Sequence, residues 1–182
     1  MIILPAKIED SAGIAKVQVD SYTRAYAEIL PKPYLNQFTY EEQTQDWSRL
    51  IASDTKDILF VAKSENNVIG YALGRSEVDE IPGFEYELVA LHVLQGNQRK
   101  GVGSQLFLSI TQQFQNLGAH SVFLWTLKQN PILKFYEQLE GQFLGEKEWG
   151  GNAHYNVAVQ EVAYGWRDID ILRQNLAKRG RL

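Results

Sequence analysis

The sequence predicts an α+β fold, a three-layer α/β/α sandwich around a mixed, mostly antiparallel sheet of about seven strands. Three observations carry this. Seven short runs read as strands, the segments between them repeat their apolar residues at helical spacing, and the order is strand, two helices, three strands, helix, strand, helix, two strands. With 182 residues, 45% of them hydrophobic and 22% charged, and with no repeat or linker, the chain suits one well-cored domain over residues 1–182.

The elements follow in order. "IILPAKI" alternates as a strand; Asp10 or Ser11 then caps a helix from about Ala12 to Ala27, with Ile14, Val17, Tyr22 and Ala25 near helical spacing. "ILPKP" ends it. Thr39 and Glu42 form a capping box for a second helix through Trp47 and Ile51. "DILFVAKS", "VIGYALGRSEV" and "FEYELVALHV" make an antiparallel meander, the first two joined at "ENN". Val102, Leu106, Ile110, Phe114 and Leu117 then repeat as a helix stripe, and Gly118 supplies its left-handed stop. "SVFLWTL" is a buried strand, "PILKFYEQL" a short helix, "GQFLGEKEW" a strand and "HYNVAVQEVAYGW" a long last strand, with a helical tail from Asp168.

Composition excludes several chemistries. There is no cysteine, hence no disulfide framework or thiolate nucleophile, and His92, His120 and His154 lack metal-ligand spacing, so no metal is expected. The longest apolar runs fall far short of the roughly 20 residues of a membrane span, and "MIILPAKIED" has no basic region before its apolar run; a cytoplasmic protein is expected. The net charge of −4 argues against a nucleic-acid partner, and the basic "KRGRL" reads as a solvated end.

The stretch "LHVLQGNQRKGVGSQLF" places a Gly-rich turn between a strand and a helix, a setting that holds phosphate. Gly96 and Gly101 have P-loop spacing, but Val102 and Gly103 stand where the Lys and the hydroxyl belong. A dinucleotide fingerprint would need glycine at Leu106 and an acidic residue in the region of "SVFLW". What remains is Gln98-Arg99-Lys100-Gly101-Val102-Gly103 at a helix start, where unpaired amides and the helix dipole suit a diphosphate without a metal. A turn shaped for geometry alone is the alternative.

These residues resemble the Q/R-x-x-G-x-G/A loop of the GCN5-related N-acetyltransferase (GNAT) family, over about Ile2 to Tyr164. "NPILKFYEQLEGQF" resembles the family's N-x-x-A-x-x-F-Y-x-x-x-G-F segment, with Leu133 for the usual small residue and one extra position before Phe143. The resemblance implies acetyl-CoA as co-substrate, its diphosphate cradled by Gln98, Arg99, Lys100, Gly101, Val102, Gly103 and Ser104. It also implies pantetheine pairing along Leu91, His92 and Val93, Asn130 at the thioester end, and allows for a homodimer.

Acyl transfer to an amine needs a proton acceptor, because an alkylamine with a pKa of about 10.4 is protonated at neutral pH. Strict alternation puts Glu85, Glu87, Val89, Leu91 and Val93 on one strand face and Tyr86, Leu88, Ala90 and His92 on the other. Glu87 occupies the position at which many family members carry the base, acting through water; a rim carboxylate is the bland alternative. Tyr136, of the F-Y pair, is the family's candidate acid for the departing thiolate and otherwise a packing aromatic. His92 is a second base or a satisfied structural histidine. In the family the acceptor walls come from the first two helices and the loop between the last two strands. These carry Tyr22, Tyr26, Tyr34 and Trp47, and Trp149, Asn152 and Tyr155; Glu85 completes the candidate set.

Two activities compete on this basis. One is acetyl transfer to a primary amine of a small molecule, by direct attack in a ternary complex. The other is acetylation of a protein N-terminus or lysine, which calls for an open groove. A non-catalytic acyl-CoA-binding module would need neither Glu87 nor Tyr136.

Overall fold

The computed structural model describes residues 1–76 and 80–180. The chain runs β1 (Ile2–Pro5), α1 (Ser11–Tyr26), α2 (Lys32–Leu35), α3 (Tyr40–Ala52), β2 (Ile58–Ser64), β3 (Asn67–Ser76) and β4 (Tyr86–Val93). It continues α4 (Val102–Asn116), β5 (Val122–Leu127), α5 (Leu133–Glu137), β6 (Gln142–Glu148), α6 (Asn152–Tyr155), β7 (Gln160–Trp166) and α7 (Ile169–Arg179). The seven strands form one sheet in the order β1-β2-β3-β4-β5-β7-β6. Every pair is antiparallel except β4 with β5. The expected fold class is therefore the observed one.

One face carries α4, α5 and α7. Val102, Leu106, Ile110 and Phe114 of α4 pack there with Leu88, Val122, Leu124, Tyr136, Trp166 and Leu172. The burial of each such side chain is worth about 1.5–3 kcal/mol, which fixes α4 on the sheet. Leu117 leaves the predicted stripe: α4 ends at Asn116 and Leu117 is 53% exposed. Gly118 takes the left-handed φ of +90° that stops the helix. The other face carries α1 and α3, with Ile14, Val17 and Trp47 against Val61, Tyr71 and Leu73. On α1 the last core position is Tyr26, and Ala25 is exposed.

Local signals were met in part. Glu65 and Asn66, at φ +49° and +68°, form the two-residue turn of the β2–β3 hairpin. Thr39 caps α3 by accepting from the Glu42 amide at 3.2 Å. The Glu42 carboxylate, however, takes the Thr39 hydroxyl, while the Thr39 amide bonds Gln37. The expected extension of β3 through Val78 lies outside the described residues.

The predicted strand from His154 is corrected. Residues 152–155 form the helical turn α6, Asn156 is left-handed at φ +51°, and β7 starts at Gln160. Asn152 holds this turn by exchanging two hydrogen bonds with the Val159 backbone, at 2.8 and 3.0 Å.

Two features of β4 shape the site. Its ladder with β3 pairs Gly74 with Leu88 and Leu73 with Ala90, leaving Val89 as an extra, bulged residue. Its parallel ladder with β5 consists of one pair, Glu87 with Phe123. Beyond Glu87 the two strands diverge, and the β5-facing edge of Leu88–Val93 has no strand partner among the described residues.

Candidate active site

The bulge overturns the alternation expected for β4. Tyr86 and Leu88 face α4, the former ring 4.6 Å from Phe114. After the bulge Leu91 and Val93 face α4 too, while Val89 and Ala90 pack with the α1 and α3 core. His92 lies on that same face, its ring 5.4 Å from Tyr71 and 6.0 Å from Tyr22. Glu87 and His92 therefore share the α1 face, and Leu91 and Val93 leave it. One extra residue shifts the phase of a period-two pattern, which is the physical reason for the correction.

Glu87 is half-buried, and its carboxyl is raised above the ordinary range, first by burial and then by the charge of Glu80; Arg75 and Lys147 oppose the shift. Glu161 of β7 is raised as well, again chiefly by burial. Arg75 is paired to Asp57 at 3.1 Å, and Lys147 to Glu80. Lys147 also lies 4.0 Å over the Trp125 ring. Among the described residues neither Glu87 nor Glu161 forms an ion pair. Arg75 stands across the ladder from Glu87 and Lys147 across from Glu161, but each cation is ion-paired to another carboxylate, so the two half-buried carboxylates make a face suited to a positively charged ligand. Glu85 is exposed just before β4, and it is not among the charges acting on Glu87, so Glu161 takes its place as the second carboxylate.

The aromatic wall assembles from elements far apart in sequence. Tyr22 packs on Tyr26 at 4.5 Å and on Phe38 at 4.9 Å, and Tyr34 packs on Trp149 at 4.8 Å and Tyr155 at 5.5 Å. Gln37 donates to the Tyr155 hydroxyl, tying α6 to the segment after α2. The loop bearing Trp149 and Tyr155 thus closes onto α1 and α2. Trp47 lies elsewhere: it is buried against Tyr71, with its indole donating to Gln18.

The hydrogen bonds around His92 favour one tautomer. The Ser21 hydroxyl donates to the Val17 carbonyl at 2.5 Å, so the 3.0 Å contact between Ser21 Oγ and His92 Nδ1 is filled by the imidazole proton. Burial lowers the His92 pKa to about 4. A depressed histidine gives stability that is present above the ordinary value of 6.5 and is lost as pH falls toward 4. Replacing His92 by phenylalanine should therefore flatten the fall in melting temperature between pH 6.5 and 4. An equally steep fall in the variant would contradict that assignment.

At the Gly-rich loop before α4, Gly101 is left-handed at φ +77° and Arg99 at φ +59°. The Gln98 amide bonds Gln95 O at 3.2 Å, and the next amide along the chain with a backbone acceptor is that of Gln105, bonded to Gly101 O at 3.0 Å. The preceding amides, through Val102, Gly103 and Ser104, stay open at a helix N-terminus. A Cβ added at Gly103 would meet only Val93, at 3.9 Å, so the loop leaves room for a ligand. Gln98 and Lys100 brace it: Gln98 Nε2 donates to Val93 O at 3.0 Å, and Lys100 Nζ to Gly96 O at 2.7 Å.

Asn130 turns out to be a hub. It donates to the Tyr26 hydroxyl at 3.0 Å and to Thr126 Oγ1 at 3.1 Å, and accepts from the Ile132 amide at 3.1 Å. Tyr26 is thereby drawn to the end of β5, where the strands diverge. Tyr136 is buried against Phe135, Tyr164 and Trp166, and burial raises its phenol well above the ordinary value. A separate groove of about 740 Å³ lies between α4 and α7, lined by Phe60, Leu108, Gln112 and Arg173 among others. It shares no residue with the carboxylate face, and the carboxylate that lines it, Asp170, lies 3.7 Å from the Arg173 guanidinium.

A sheet opened at one parallel joint, with a Gly-rich loop after the diverging strand and half-buried carboxylates on the same sheet, is the arrangement that the resemblance to N-acetyltransferases leads one to expect. The acetyltransferase (GNAT) family model matches residues 19–141, and the chain belongs to that family of N-acetyltransferases. It is 34% identical over 169 residues to the uncharacterized N-acetyltransferase YuaI of Bacillus subtilis (strain 168), covering 92% of this chain and 94% of that protein. The fold is shared with the PaiA N-acetyltransferase of Thermoplasma acidophilum in complex with coenzyme A, at TM-score 0.67, 18% identity, and 91% and 98% of the two chains. It is shared too with yncA of Salmonella typhimurium, solved with its cofactor acetyl-CoA, at TM-score 0.66, 17% identity, and 93% and 94% coverage. No helix among the described residues is long and apolar enough to cross a membrane.

Proposed function

We propose that the protein transfers the acetyl group of acetyl-CoA to a primary amine of a small, cationic molecule, by direct attack in a ternary complex. The observation that carries this is the pair of half-buried carboxylates, Glu87 and Glu161, with no ion pair among the described residues, facing the aromatic wall beside the β4–β5 opening. Solved relatives of the same fold hold coenzyme A and acetyl-CoA, which supports the same co-substrate here.

The residues present fit that co-substrate. Open amides from Arg99 to Ser104 meet the diphosphate, aided by the charges of Arg99 and Lys100. The unpartnered edge of Leu88–Val93 receives the pantetheine amides as an added strand would. Acetyl-CoA supplies the thioester.

Glu87, through water, takes a proton from the acceptor ammonium, and an amide of the Leu91–Val93 segment polarises the carbonyl. Tyr136 gives a proton to the departing thiolate. Glu161, Tyr22, Tyr34 and Tyr155 hold the acceptor cation. Asn130 acts indirectly, by positioning Tyr26.

Closure of the Trp149–Tyr155 loop onto Tyr34 favours a small acceptor over a protein lysine. The test is release of free coenzyme A thiol over a panel of small mono- and diamines and lysine-containing peptides. Turnover with a small amine at least about tenfold above every peptide is expected, a difference of roughly 1.4 kcal/mol. The reverse order would overturn the acceptor assignment.

A further inference from the structure

The end of α7 is docked on the phosphate loop, where the sequence suggests only a solvated tail. α7 runs back along α4: Leu172 and Leu176 are fully buried, and Arg173 bonds Gln112 and Gln115. It ends at the start of α4. Gln105 Nε2 donates to Gly180 O at 3.1 Å, and a Cβ on Gly101 would stand 3.5 Å from Gly180 O and 3.8 Å from Arg179 O.

This docking brings Lys178 and Arg179, in the last turn of α7, to the helix end that carries Arg99 and Lys100. Neither 94–106 nor 171–180 contains an acidic residue, although the whole chain is acidic, with a net charge of −4. Among the described residues Lys178 and Arg179 form no ion pair and no side-chain hydrogen bond. Glu140 lies one turn away, where it accepts from Asn175 at 3.2 Å, but it pairs with neither Lys178 nor Arg179, so the like charges brought to this helix end favour an anion joining them.

The loop amides, with Arg99 and Lys100, suffice for a diphosphate. Two further cations beside them match a further phosphate, and coenzyme A has one on its ribose 3′ position, carrying about −1.5 to −2 charges at neutral pH. Resting on the coenzyme A reading of the loop, we infer that Lys178 and Arg179 form a subsite for the 3′-phosphate. The C-terminal helix then selects coenzyme A over its 3′-dephospho analogue.

The experiment is calorimetric titration of the full chain and of Lys178→Ala/Arg179→Ala with coenzyme A and with 3′-dephospho-coenzyme A. The wild type should prefer coenzyme A by about tenfold or more, as charge-assisted phosphate contacts allow. The double variant should keep its affinity for the dephospho compound and its unliganded melting temperature, with the preference reduced to about twofold or less. A preference unchanged in the variant, or equal weakening for both compounds, overturns the subsite. Arg179→Glu serves as a second variant and should lower the preference further. A wild type that binds neither compound instead refutes the coenzyme A reading of the loop.

Discussion

Replacing Glu87 by glutamine is expected to lower kcat about 100-fold or more, with acetyl-CoA affinity nearly unchanged; the usual contribution of a general base is about 10² to 10⁴. The substitution keeps the shape of the side chain at the β4–β5 joint and removes only the proton acceptor. Because the Glu87 carboxyl is raised, the acid limb of the wild-type kcat/KM profile should lie above the ordinary carboxylate range and vanish in the variant. The limb set by the amine itself should persist.

Stability provides an independent readout. A raised carboxyl favours the fold in its neutral form, so its contribution is present at low pH and is lost as pH rises through the folded-state pKa. Glu87→Gln should therefore leave the melting temperature equal or higher at pH 7.5, with no gain at pH 4. A variant of unchanged kcat would make Glu87 a bystander at the joint.

Tyr136→Phe is the second large effect, a fall in kcat of about 10²-fold at constant acetyl-CoA affinity. Phenylalanine keeps the ring among Phe135, Tyr164 and Trp166, so folding is little disturbed. Burial keeps the phenol protonated at working pH and at the same time makes it a weaker acid than a solvated tyrosine. A thiolate of ordinary pKa about 8.5 is a weaker base than this phenolate, so donation is productive only as the carbon–sulfur bond breaks and drives the step. If kcat falls less than about twofold, Tyr136 is a core residue and another donor serves. Tyr26, held by Asn130 at the end of β5, is the phenol placed to do so.

Much of this arrangement could be read from the chain because its signals are local. The stripe Val102, Leu106, Ile110 and Phe114 carries its own period, Gly101 and Gly118 take the left-handed values that only local sterics demand, and the absence of a P-loop lysine at Val102 is decisive by itself. The bulge at Val89 has no such marker: Val89 and Ala90 are ordinary strand residues, and only the β3 partner reveals the extra position. That one residue moves His92 to the side of Glu87.

Glu161 was missed because its meaning depends on two strands distant in sequence. It pairs with Leu127 and Lys147, and joins Glu87 only through the assembled sheet. A signal existed, since Glu161 is a charge inside the apolar run "VAVQEVAYGW", the same anomaly that drew attention to Glu87. The α6 turn was hidden by apparent alternation in "HYNVAV", which the left-handed Asn156 interrupts. The docking of "KRG" on the loop at Gly101 is set by the burial of Leu172 and Leu176 over α4, a tertiary event with no local sign.

The central claim, that the loop at Gly101 is a coenzyme A cradle, is tested most directly by thermal unfolding of the full chain with saturating acetyl-CoA, coenzyme A, ATP and NAD in parallel. A ligand at about 100 times its dissociation constant adds roughly 2.7 kcal/mol, or about 5 to 10 °C for a chain of this size. The account predicts that rise with acetyl-CoA and coenzyme A and none with ATP or NAD. A rise with ATP or NAD alone would contradict it.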